Sequence, residues 1–247
     1  MDLLFTRSLI GLFAFFLLAG CAATTGAPDN DASSESTAHI LPGGIHVIAD
    51  APADCLACQF YNRYQNSVVR IRIPNGVGTG VVVSDTGLII TNDHVVKGQD
   101  RALIQTFDGN QVSAAVVRRY PNADLALVQP EPTEATWQPA AITDVRLPPV
   151  GSPVFAIGHP AGLGWTLTEG IVSGHRSRGE VSAIPMFQID AAVSPGNSGG
   201  PVLSADGSWL GLVSAKLIGR GVENISFIIP VADVQQFIES YQASLEP

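Results

Sequence analysis

From Ser67 onward the chain alternates between short runs of branched or large apolar residues and clusters of Gly, Pro, Asn and Asp. Six such runs, at 68–73, 80–83, 88–91, 102–106, 112–117 and 125–128, precede a Pro-rich break at 131–149. Six more follow, at 153–157, 167–173, 186–190, 200–203, 209–214 and 226–229. Runs this short, bounded by turn residues and with no helical periodicity between them, predict antiparallel barrels or sandwiches rather than a parallel βαβ sheet. The end of the chain differs. After Pro230, the residues Val231, Val234, Phe237, Ile238 and Tyr241 recur at helical spacing, which predicts one amphipathic helix over about 231–243.

Before Ser67 the pattern is of another kind. Arg7 is followed by an apolar run over 9–19 and then by Gly20 and Cys21. A run of about a dozen residues falls short of the roughly 20 that span a bilayer but suits the core of a secretory signal, so 1–20 reads as an export signal. Leu18-Ala19-Gly20-Cys21 resembles the bacterial lipobox. That resemblance implies that Cys21 is lipidated, becomes the first mature residue and anchors the protein in the cell envelope, facing the periplasm or the cell exterior. Ala22 after the cysteine favours the outer membrane. Residues 22–38 are small, polar and acidic, and 21–60 reads as a flexible tether whose coil from Cys21 to Cys55 would span roughly 30 Å.

The remaining cysteines, Cys55 and Cys58, form a C-x-x-C pair that can close a small disulfide in an oxidising compartment. A redox motif would need a βαβ setting, and none surrounds the pair. A zinc site drawing in His39 and His46 would have irregular spacing, and no metal is expected.

Composition narrows the class. With 46% hydrophobic and 14% charged residues the chain is too apolar for disorder, and 25 Gly with 17 Pro are too many for a helical bundle. A net charge of −9 without a Lys/Arg cluster argues against nucleic acid as a partner.

Three polar residues stand where strand packing does not call for them. Ser198 lies in a Gly-flanked turn, Gly196-Asn197-Ser198-Gly199-Gly200, whose backbone N–H groups can converge on one point. His94 follows an apolar run, and Asp124 heads another, where an unpaired carboxylate would be costly. Each alone has a bland reading: a turn serine, a hydrogen-bonded core histidine, a capping carboxylate. Together, His94 and Asp124 in the first half with Ser198 in the second suit a nucleophile, a general base and the carboxylate that orients it. An α/β-hydrolase elbow needs a histidine after the serine, and none follows Ser198; a subtilisin-like order needs the aspartate before the histidine.

GTGVVV at 78–83, TNDHVV at 91–96, ADLALV at 123–128, IGHP at 157–160, LTEGIVS at 167–173 and GNSGGP at 196–201 closely resemble the motifs of Deg/HtrA-type trypsin-like serine proteases. The resemblance implies an all-β fold of two antiparallel six-stranded β-barrels with a short C-terminal helix. It places the protease domain at 61–247, with barrels at about 65–130 and 150–230. It implies that His94 is the base, Asp124 its orienter and Ser198 the nucleophile, with the N–H groups of Gly196 and Ser198 as the oxyanion hole. The position six before the nucleophile, the floor of the specificity pocket in such enzymes, is Ala192, with Lys216 and Leu217 in a neighbouring wall. Cleavage after small or medium aliphatic residues is therefore expected, on unfolded or exposed protein segments in the envelope.

The same resemblance implies no cofactor and a homotrimer as one form of assembly. The 49 residues after Ser198 are expected to be filled by strands and the helix, leaving no room for a PDZ module. The alternative is an idle or latent module of the same fold, chaperone-like or awaiting a partner. Asp93 departs from the commoner Asn or Ala, and its neighbour His94 is expected to feel it little. His159 reads as a turn residue, and His175, Arg176 and Arg178 as a solvated patch.

Overall fold

The computed structural model describes residues 38–41, 45–48, 55–142, 146–216 and 224–245. It divides into two units. In the first, β1 (Ala38–Leu41) pairs antiparallel with β2 (Ile45–Ile48). The second contains both barrels.

The first barrel closes from β3 (Val68–Ile73), β4 (Gly76–Val82), β5 (Ile89–Thr91), β6 (Arg101–Gln105), β7 (Gln111–Tyr120) and β8 (Leu125–Pro130), in the order β3-β4-β5-β8-β7-β6. The second closes from β9 (Pro153–Gly158), β10 (Thr166–Arg176), β11 (Met186–Ile189), β12 (Pro201–Ser204), β13 (Trp209–Lys216) and β14 (Ser226–Pro230), in the order β10-β11-β14-β13-β12-β9. All pairings are antiparallel, so the expected all-β architecture is present.

The near-continuous apolar runs are explained by burial on both faces. Along β8, Ala126 and Val128 point into the first barrel, while Leu125 and Leu127 point into a core shared with the second. Along β9, Val154 and Ala156 fill the second barrel, and Phe155 and Ile157 face the shared core. Strand side chains alternate, so a strand wedged between two cores is apolar at every position. Polar alternation survives only where a strand meets water, as in the outer positions of β7.

Two helices seal the shared core. The C-terminal α2 (Val231–Ala243) starts directly after Pro230 and buries Val231, Val234, Phe237 and Ile238. The other, α1 (Leu56–Tyr64), begins in the last residues of the stretch read as flexible tether and runs into the protease domain. Cys55 and Cys58 are bridged across its first turn, with Cα atoms 5.3 Å apart. Phe60 meets Phe155 edge-on at 5.2 Å, and the Tyr64 hydroxyl donates to the Gly207 carbonyl at 2.8 Å. Its sequence gave no warning because α1 carries only a narrow apolar face, buried through Phe60 and Tyr64.

Trp209 is the largest fully buried side chain, and its indole N–H donates to the Gly211 carbonyl at 2.7 Å. Trp209→Ala is expected to lower the unfolding free energy by about 3–5 kcal/mol in urea titration. Tyr64→Phe, which removes one hydrogen bond from the helix contact, is expected to cost about 1 kcal/mol.

Candidate active site

Apolar β5 ends at Thr91, and a 3-10 turn, His94–Val96, carries His94 out of the sheet. A second 3-10 turn, Pro121–Ala123, ends on Asp124, which takes a left-handed conformation with φ 54° before β8 begins. A non-glycine residue there is uncommon, and Asp is among the few that tolerate it. Asn92 holds the strained residue, donating from Nδ2 to the Asp124 carbonyl at 3.0 Å.

The conformation turns the Asp124 carboxylate onto His94. It accepts from the His94 backbone N–H at 3.0 Å and lies 2.9 Å from Nδ1 through either oxygen. A carboxylate only accepts, so Nδ1 carries the ring proton and Nε2 is left bare. The Ser214 hydroxyl, on β13 of the other barrel, donates to the same carboxylate at 2.6 Å. The imidazole is 46% exposed and the carboxylate 28%, so the pair opens onto solvent. Asp93 faces away from it. Arg119 pairs with Asp93 at 2.9 Å and also donates to the Val96 and Gln99 carbonyls, which clamps the turn from behind.

Ser198 sits in the turn before β12. Its hydroxyl donates to the Ser214 carbonyl at 3.4 Å and makes no hydrogen bond to His94. Ser214 thus touches both Asp124 and Ser198. The turn holds its shape through Asn197 N–H to Ser194 carbonyl and Gly200 N–H to Asn197 carbonyl. The Pro195 carbonyl accepts from Ala161 N–H at 2.8 Å. A trans peptide sets carbonyl and N–H on opposite sides, so the Gly196 N–H points away from Ala161. Among the described residues neither it nor the Ser198 N–H has an acceptor. Two free amides beside a serine hydroxyl are able to take a developing oxyanion.

The turn is pinned by Thr79 of β4. Its N–H donates to the Ser198 carbonyl at 2.8 Å and its hydroxyl to the Gly196 carbonyl at 2.6 Å. With its one proton spent, the Thr79 oxygen accepts from the His159 backbone N–H at 3.2 Å and from Nδ1 at 3.0 Å. His159 Nδ1 is therefore protonated, and Nε2 is buried without a partner. The ring lies edge-on to Trp165 at 4.5 Å. Burial, aided by the Arg70 charge, pulls its pKa down to about 3, so it stays neutral. His159 opens the 3-10 turn Pro160–Gly162, its carbonyl accepting from the Gly162 N–H at 3.0 Å, as a turn residue should, and its ring is in addition fully buried beneath the Ser198 turn.

Of the other expected residues, Ala192 is exposed, and its carbonyl accepts from the Thr168 hydroxyl at 3.0 Å. Lys216 ends β13 opposite Ser226. Leu217 and Cys21 lie outside the described residues. Thr79, His159, Asn92 and Ser214 were not singled out as site residues by the sequence. Only the presence of Thr79, Asn92 and His159 inside the GTGVVV, TNDHVV and IGHP motifs pointed their way. Among the described residues no group of three or more His, Cys, Asp or Glu is placed to hold a metal ion.

Residues 78–212 match the trypsin-like peptidase domain. "Serine protease HtrA-like" of Staphylococcus aureus USA300 is 35% identical over 180 residues, covering 67% of this chain and 23% of that protein. The same protein in other strains, NCTC 8325 among them, matches equally, so the chain spans less than a quarter of the length of these curated relatives. Among solved structures, "HtrA-type protease AlgW with tripeptide" superposes with a TM-score of 0.68 at 28% identity, covering 74% of this chain and 62% of that one. The serine endoprotease from Yersinia pestis gives a TM-score of 0.64 at 31% identity, covering 77% and 67%. Motifs and double-barrel frame match together, and the chain belongs to the trypsin-like peptidases, among the HtrA-like serine proteases.

Proposed function

We propose that this chain is a serine endopeptidase that cuts exposed segments of unfolded proteins. The observation that carries the reading is the Asp124 carboxylate, which fixes the Nδ1–H tautomer of His94 and leaves Nε2 as a proton acceptor. The reaction requires the Ser198 side chain to turn from Ser214 so that Oγ meets Nε2. His94 takes the proton as Oγ attacks the scissile carbonyl carbon, and the Gly196 and Ser198 N–H groups hold the resulting oxyanion. His94 then protonates the leaving amine. Water, deprotonated by the same imidazole, hydrolyses the acyl-enzyme and restores Ser198. Asp124 stays ionised throughout and stabilises the imidazolium. No step calls for a cofactor.

Ala192 at the expected pocket floor carries no charge to select Lys or Arg, which supports cleavage after small or medium aliphatic residues. An exported enzyme lipidated at Cys21 and acting in the envelope fits the N-terminal motifs, and the Cys55–Cys58 disulfide is at home in an oxidising compartment. Among the described residues no helix is long and apolar enough to cross a membrane. The turn of the Ser198 hydroxyl toward Ser214 favours a second reading, in which the site is latent until substrate or a partner swings Oγ to His94.

The purified protein is expected to degrade unfolded casein and to react with a fluorophosphonate probe, and Ser198→Ala is expected to abolish both. Fragment ends read by mass spectrometry should show small aliphatic residues before the cut; a profile dominated by Lys or Arg would sink the specificity assignment. Probe labelling that appears only after unfolded substrate is added identifies the latent form.

Thr79→Val removes the hydroxyl that holds the Gly196 carbonyl and should lower kcat by about tenfold or more with KM little changed, on the scale of a lost oxyanion donor. Thr79→Ser should restore most of it. His159 binds its proton far more weakly folded, at about 3, than the usual 6.5 of an unfolded chain. The unfolded state therefore takes up more protons between those values, and stability falls as pH drops through that window. Urea midpoints measured from pH 7 to 4 should show this fall, and it should be shallower in His159→Gln.

A further inference from the structure

A cavity of about 400 Å³ lies where β7, the loop between β10 and β11, and α2 meet. It is walled by none of His94, Asp124, Ser198, Gly196 or Ala192. Three of the chain's 13 Lys and Arg residues converge on it, in a protein of net charge −9. One, Arg119, is committed to Asp93 and to the Val96 and Gln99 carbonyls. The other two, Arg118 and Arg178, are exposed and make no hydrogen bond or ion pair among the described residues.

The one acid in the wall is Asp233, in the first turn of α2. Burial raises its pKa, against the lowering pull of its own backbone N–H and of Arg178. A single half-buried carboxylate, already drawn to Arg178, therefore shares the wall with two exposed guanidinium groups that make no hydrogen bond among the described residues. Beside them the exposed Tyr120 ring presents an apolar face, backed by the buried Phe237, on which it stacks at 6.0 Å and 26°.

A small inorganic anion would use the two arginines, leave the apolar surface unused and meet the Asp233 charge. A polypeptide carrying carboxylates next to an apolar side chain satisfies both halves. Guanidinium groups take carboxylates in a planar fork, and a cavity of this size accommodates more than one side chain. We propose that this cavity binds an acidic peptide segment, with a carboxylate on Arg118 and Arg178 and a neighbouring apolar side chain against Tyr120. The site goes beyond the protease reading and stands without it, because it shares no residue with the proposed chemistry.

The test is fluorescence anisotropy of a fluorescein-labelled decapeptide of alternating Glu and Leu, titrated with the full chain carrying Ser198→Ala so that the peptide is not cut. Saturable binding is expected, weakened about tenfold by Arg118→Ala or Arg178→Ala and further by the double variant, on the scale of a lost charge-assisted hydrogen bond. Tyr120→Ala should also weaken it, and the Gln/Leu decapeptide should bind at least tenfold less tightly. Both arginines are exposed, and an unchanged thermal melt will show that the variants are folded. Equal binding of the Gln/Leu peptide overturns the proposal, as does binding that survives the double arginine variant and therefore lies elsewhere, in the cleft for example. Inorganic phosphate that displaces the peptide at concentrations below the peptide's own Kd marks a simple anion site and overturns it too.

Discussion

One threonine on β4 grips the Ser198 turn of the opposite barrel from two sides. Thr79 holds the Ser198 carbonyl with its N–H and the Gly196 carbonyl with its hydroxyl, while the Thr91 hydroxyl fixes the Thr79 carbonyl at 2.7 Å. So close an approach leaves no room for side chains. A Cβ on Gly199 would sit 2.1 Å from the Thr79 oxygen, and one on Gly196 would sit 2.2 Å from the His159 oxygen. The glycines around Ser198 therefore do more than free two amides. Gly199 lets the barrels touch backbone to backbone, Gly196 lets the turn close on its own barrel, and the two contacts together set the direction of the amides.

The acid side of the site obeys the same rule of mutual dependence. Holding Asp124 at φ 54° costs on the order of 1 kcal/mol. Against this stand the bonds to its carboxylate from the His94 N–H, His94 Nδ1 and Ser214, each worth roughly 1.5–3 kcal/mol when a charged group takes part. The bonds win by a wide margin, so the strained conformer persists. One of the three comes from the second barrel, just as Thr79 comes from the first. Each barrel thus completes the other's half of the site.

The twelve strands could be read from the sequence because a strand buried on both faces announces itself as an unbroken apolar run, as 125–128 does. Their ends drifted by a few residues wherever a strand ran into solvent: β7 extends to Tyr120 and β10 to Arg176, where polar residues keep the ladder going after the apolar signal has stopped. Helix α1 was hidden for the opposite reason, having only Phe60 and Tyr64 fully buried. His94, Asp124 and Ser198 stood out because each is costly or idle without a partner. Thr79, His159 and Ser214 did not, since the partners of Thr79 in the second barrel lie 80 to 119 residues away and Asp124 lies 90 from Ser214, and a buried threonine or serine in a strand asks for no special explanation. His159 in particular follows a glycine and precedes a proline, a setting that reads as the turn it is and gives no sign of the buried contact with the Thr79 hydroxyl.

The cross-barrel grip bears on when in its life this chain is dangerous. The Ser198 turn takes its shape from a strand made some 120 residues earlier, and the Asp124 carboxylate waits for Ser214, made 90 residues later. A chain still being synthesised, or one whose second barrel has come apart, holds the residues but not their arrangement. The arrangement is thus a property of the finished tertiary structure, and a half-made copy lacks what the proposed chemistry needs.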